Sequence, residues 1–165
     1  MVAAMAVRAK FNNPYGDQYP DNNDSKEVFL QANGLEHAGD GDRHVLILWL
    51  NGQDAQGNGY TQILQLTGGP GNYAFYHPSV NAQSAISLAA NTFYNLGTFT
   101  RAQRDQIIAL ALAVKFEKTS HVNSCRTWTR DLLEAMVNVN LISQDKFGEI
   151  DQGVPLKKRV PELAG

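Results

Sequence analysis

The sequence predicts an α+β domain in which an antiparallel β-sheet packs against helices, and three observations predict it. The apolar runs "HVLILWL" (44–50) and "YTQILQL" (60–66) flank the turn-rich "NGQDAQGNG", the signature of a long hairpin. Thr100 stands three residues before Gln103 at the head of "RDQIIALALAVKF", a capping box that opens a helix. Trp128, Leu132, Met136 and Val139 recur at spacings of three and four behind Asn123 and Ser124, both good N-cap residues, so a second helix turns one stripe to a core.

The remaining elements follow in chain order. "VRAKFN" (7–12) and "EVFLQANG" (27–34) read as short strands separated by "NPYGDQYPDNND", whose Pro, Gly, Asn and Asp prefer turns. "LEHAGDGDR" is a loop leading into a buried strand at "HVLILWL", rich in branched and aromatic residues. "TGGPG" breaks the chain before "NYAFYHPSV", a strand ending at Pro78. "SAISLAANTFYNLGTF" is ambiguous between helix and strand, with strand expected for its second half. The helices are expected at about 101–116 and 124–139, the first apolar on most faces and therefore buried.

A chain of 165 residues, 43% of them hydrophobic, fits a single domain spanning 1–165 with an ordinary core. The end, "DQGVPLKKRVPELAG" (151–165), carries two prolines and a charge cluster and reads as a surface or partly mobile tail. Fourteen Lys+Arg against 16 Asp+Glu leave a net charge of −2, without a basic stripe for phosphates, so nucleic acid is not expected as an obligate partner. No stretch approaches the length of a membrane span. A single cysteine forms no internal disulfide and "MVAAMAVRAKFN" lacks the apolar run of a secretory signal, so a cytoplasmic location is expected. One Cys and four scattered His give no zinc spacing, and "TGGPGNY" lacks the Lys-Ser/Thr of a phosphate loop; neither metal nor cofactor is expected.

Cys125, the only cysteine, lies three residues before Trp128 on one helical face and has two readings. As packing, it extends the apolar stripe. As a nucleophile, it exploits the first turn of a helix, where free N–H groups and the dipole favour a thiolate and can hold an oxyanion. Such a thiolate needs a base. Among the histidines, His37 sits in a loop, His77 precedes a proline at a strand end and His121 stands just before the helix, whereas His44 opens the most hydrophobic strand. A register pairing 44 with 65 sets Leu46 against Ile63 and Trp49 against Tyr60, and brings Gln65 beside His44, where its amide oxygen accepts from the imidazole and fixes the tautomer. Taken singly, His44 is also a strand-end hydrogen bonder and Gln65 a solvent-facing residue.

"RHVLILWL", "YTQILQL" and "NSCRTWTRDLLEAM", in that order, resemble the circularly permuted branch of the papain-like NlpC/P60 superfamily, in which the histidine strand precedes the cysteine helix. Lecithin-retinol acyltransferase-like and PPPDE-type proteins show the same order, and the chain also looks like small intracellular families whose signature is an "N-C-x-x-W"-like turn leading into an amphipathic helix. The likeness covers about 44–142 and rests on short motifs, with Ser124 inserted between Asn123 and Cys125, Val45 where an aromatic follows the histidine, and Gln65 where relatives carry His or Asn. It implies Cys125 as nucleophile, His44 as base and Gln65 as orienting residue. The implied function is acyl transfer through a thioester, as an amidase or peptidase or as an acyl- or aminoacyltransferase acting on a small-molecule or peptide substrate. The contrasting expectation is a catalytically inactive binding or interaction domain of the same fold.

Overall fold

A computed structural model of the chain describes residues 13–37 and 42–163. The expected strand at 7–12 lies outside them. The elements are α1 (Pro14–Gln18), β1 (Lys26–Ala32), β2 (Val45–Gln53), β3 (Gly59–Leu64), β4 (Leu66–Gly69), β5 (Asn72–Phe75), β6 (Val80–Gln83), α2 (Ala85–Ala90), β7 (Thr92–Phe99), α3 (Arg101–Ala113), α4 (Cys125–Asn138) and α5 (Gln144–Gly153). The fold is α+β: an antiparallel sheet of order β6-β3-β2-β1-β7, a separate β4-β5 ribbon, and helices.

The hairpin of β2 and β3 forms with its register two residues from the one the side chains suggested. Leu48 meets Ile63 and Trp49 meets Gln62, not Leu46 with Ile63 and Trp49 with Tyr60. Both strands run deeper into the turn-rich connection than expected, and an irregularity between Leu50 and Gly52 absorbs a residue there. Because the slip is even, every side chain keeps its expected face.

Strand alternation divides the sheet. Val28, Leu30, Val45, Ile47, Trp49 and Leu64 join Trp128, Leu132 and Met136 of α4 in the main core, together with Ile107 of α3 and Ile150 of α5. Leu46, Leu48 and Ile63 form a second cluster with Phe29 and Phe93 on the other face.

Thr100 caps α3 with the reciprocal capping box its sequence announced. Only Arg104, Ile107 and Ala111 of that helix are buried, so it lies on the core by one stripe and is not buried on most faces. Its apolar composition comes from alanines and leucines that remain part-exposed at the surface. Ser124 caps α4, and the core stripe ends at Met136, since Val139 is exposed beyond the last turn. The stretch read as turns around Pro14 holds the short helix α1, started by Asn13 and by proline at its first position. The C-terminal stretch is anchored to the domain. Val154 and Leu156 are buried, and the Asn123 side chain both donates to the Val160 carbonyl at 2.8 Å and accepts from its N–H at 2.9 Å.

Polar pins close the helix side. Arg104, fully buried, donates to the Asp21 carboxylate from Nε and Nη2 at 2.9 and 3.0 Å and to the Asp24, Phe99 and Asn22 carbonyls. Burial raises the Asp21 carboxyl pKa, but hydrogen bonds from Arg104 and Lys26 outweigh it and hold the group below the usual carboxylate range.

One connection determines what lies on the opposite face. Among the described residues β6 and β7 are the two edges of the sheet, so the chain between them must cross the width of the five strands, about 19 Å. It does so with α2, over the Leu48 side. Ser84 caps this short helix, which buries none of its residues.

Candidate functional site

Cys125 is the first residue of α4, and the Ser124 hydroxyl accepts from the Arg126 N–H at 3.2 Å. Its thiol is 5% exposed and donates to the Arg43 carbonyl at 3.8 Å. Burial pushes the thiol pKa up; the Val45 N–H and Arg126 oppose the rise, Asp42 adds to it, and the sum stays upward. The sulfur is therefore packed in the helix-side core against the backbone at the head of β2.

His44 is exposed, and its Nε2 donates to the Gln65 amide oxygen at 2.6 Å. An amide oxygen only accepts, so Nε2 carries the hydrogen. The contact is diagonal, a consequence of the two-residue register slip. Alternation from Leu46 and Ile63 puts both side chains on the face away from the helices, whereas Cys125 belongs to the helix-side core with Val45 and Leu64. The structure thus brings His44 and Gln65 together, and among the described residues no hydrogen bond links Cys125 to either.

The residue before His44 turns the other way. Arg43 is buried, with Nε donating to the Asn33 carbonyl at 2.6 Å, Nη1 to Val154 at 2.9 Å, and Nη2 to the Gly34 carbonyl and Thr92 hydroxyl at 3.0 and 2.9 Å. Arg126, next to the cysteine, is likewise held, by Asp42 at 2.6 Å and by the Pro155 carbonyl at 3.2 Å. The two arginines beside the thiol are satisfied structural pins. His121, before the helix, lies against Gly71 of the β4-β5 turn, where a φ of +86° would strain any side chain and a Cβ would come within 3.1 Å of the imidazole.

A second candidate site was not legible residue by residue. Between the outer face of the sheet and α2 lies a groove of about 650 Å³. Phe29, Leu48, Leu50 and Phe93 form an apolar floor, Leu88 of α2 a wall, and Asn22, Asp24, Ser25, Glu27, Gln53 and Gln83 much of a polar rim. Phe29 and Phe93 meet edge to face with centroids 6.4 Å apart, which fixes the floor. Leu50 and Leu88 remain 38% and 49% exposed, and Ile86 82%. Two sequence signals pointed here. "HVLILWL" is apolar at consecutive positions, which asks for cover on both faces of its sheet, and "AISLAA" is too short and too apolar for a surface helix with nothing to touch.

Among the described residues there is no group of three or more His, Cys, Asp or Glu able to hold a metal ion, and no helix long and apolar enough to cross a membrane. No family model matches the chain, and no curated protein or solved structure matches it.

Proposed function

We propose that the protein is a binding domain that takes a small apolar ligand in the groove between its sheet and α2. The observation that carries this reading is a roughly 650 Å³ cavity with an apolar floor beneath a crossover helix that buries none of its own residues. Ligand sites typically enclose about 300–1,000 Å³ with mainly apolar walls and a few polar groups at the rim. Apolar surface left open on this scale favours an occupant. The test is binding of the neutral dye Nile red, followed by fluorescence. Saturable binding to the unaltered chain, lost in Leu50→Asp and Leu88→Asp, is the expected result. Equal binding by both variants would remove the groove from the account.

A second reading has an observation of its own. Cys125 opens a capped helix of 14 residues at the head of the strand that begins beyond His44, the order of the permuted papain-like proteins. In that reading Cys125 attacks a carbonyl, His44 takes its proton with Gln65 holding the ring, and the first N–H groups of α4 receive the oxyanion. It requires the buried thiol and the outward-facing imidazole to approach each other. Alkylation by iodoacetamide at about pH 6, where an ordinary thiol is almost wholly protonated, separates the readings. The binding domain leaves Cys125 unreacted; rapid alkylation there, with turnover abolished in Cys125→Ser, would establish the thiol enzyme instead.

A further inference from the structure

The charge around the groove narrows its ligand, an inference that rests on the binding reading above. We infer that the ligand joins an apolar body to a cationic amine head, the body on the floor of the groove and the head beside Asp24 and Glu27. Both residues are exposed, both line the cavity, and neither forms an ion pair among the described residues. Glu27 is oriented by the Asn95 amide, which donates to its Oε1 at 3.3 Å. The one cation in the lining among the described residues, Lys26, is committed elsewhere. Lys26 Nζ donates to Asp21 at 2.8 Å and to the Asn51 carbonyl at 3.4 Å, and its side chain is only 11% exposed.

A ligand entering the groove therefore meets two carboxylates outside any ion pair among the described residues, together with an apolar floor. An anionic head is repelled by both carboxylates, and a neutral head gains no charge interaction from them. An ammonium is attracted by both, and the apolar floor beneath lowers the local dielectric and strengthens that attraction. The cavity volume is that of a small-molecule site.

The experiment titrates octylammonium, 1-octanol and octanoate, which share one apolar body, against the full chain loaded with Nile red at low salt. Octylammonium is expected to displace the dye at about a tenfold lower concentration than octanol, with octanoate weakest. The double variant Asp24→Asn, Glu27→Gln should bring octylammonium to the octanol level and leave octanol unchanged. About 1 M salt, where charges are screened within about 3 Å, should do the same to the unaltered chain. Octanol or octanoate displacing the dye as well as octylammonium overturns the charge assignment while leaving the groove a ligand site. Dye that never binds, or binds Leu50→Asp unchanged, overturns the groove reading itself. A dimer in sedimentation that Leu50→Asp dissociates, with no amine bound, gives the face to a second copy of the chain and overturns the proposal.

Discussion

The two faces of the five-stranded sheet are built from the same strands and finished in opposite ways. On the helix side, Trp49, Ile47 and Leu30 are sealed by α3, α4 and α5, with Trp128 tilted against Phe75 at 5.2 Å and buried arginines satisfying the polar edges. On the other side, Phe29, Leu48 and Phe93 are crossed, among the described residues, by one short helix that buries none of its own side chains. Close packing gives the first face its contribution to stability, and its absence leaves the second face a groove. The contrast separates what holds the fold from what the fold presents.

Substitutions on the sealed face should have the largest effects. Trp128→Ala is expected to cost roughly 3–5 kcal/mol, read as a shift of the denaturant midpoint, because the cavity relaxes only partly. An unchanged midpoint would mean that the two faces do not differ as described. Arg104→Met should cost about 3 kcal/mol, since it takes the main partner from the Asp21 carboxylate, whose side chain is only 8% exposed, and leaves it Lys26.

Asp21 also links the sealed face to pH. Its folded pKa lies below the ordinary 3.8 of the unfolded chain, so its stabilisation is fully present above that value and is lost as pH falls through the folded one. Asp21→Asn should therefore lower stability at neutral pH and flatten the acid limb below about pH 4 in a urea-midpoint series. An acid limb as steep as before would assign that limb to other carboxylates.

On the groove face, Leu50→Asp should move the midpoint by only about 0.5 kcal/mol while abolishing dye binding, since the side chain is already part-exposed. The smallest effect belongs to His44→Ala. Its hydrogen bond to Gln65 lies at the surface, and its loss should change stability by less than about 0.5 kcal/mol. A larger cost would give the His44–Gln65 pair a structural weight that its exposure does not suggest.

Legibility in the sequence followed the range of the interactions. The Thr100 capping box, the Ser124 cap and the Trp128 stripe are local patterns of three and four residues, and each formed where its residues stood. The β2–β3 pairing was legible, but its register was not, because the irregularity between Leu50 and Gly52 depends on both strands at once. For the candidate site, the sequence put Cys125 at a helix start and Gln65 within reach of His44. It did not reveal that Cys125 packs inward beneath the Arg43 carbonyl while His44 turns outward, since that depends on which strand face the helix covers. The groove was hidden for the same reason. Its lining comes from β1 and the loop before it, β2, β3, β6, β7 and α2, united only when β6 and β7 become opposite edges.

The sheet order has a consequence for how the chain is made. β1 is flanked by β2 and by β7, so one of its edges is covered early and the other waits until residues 92–99 leave the ribosome. Throughout that interval Val28, Leu30 and Ala32 sit beside a row of open backbone donors and acceptors, with the helices that bury them still unsynthesised. The nascent chain is thus most exposed to self-association after β2 has paired and before β7 arrives, and a truncation ending ahead of Thr92 should aggregate where the full chain does not.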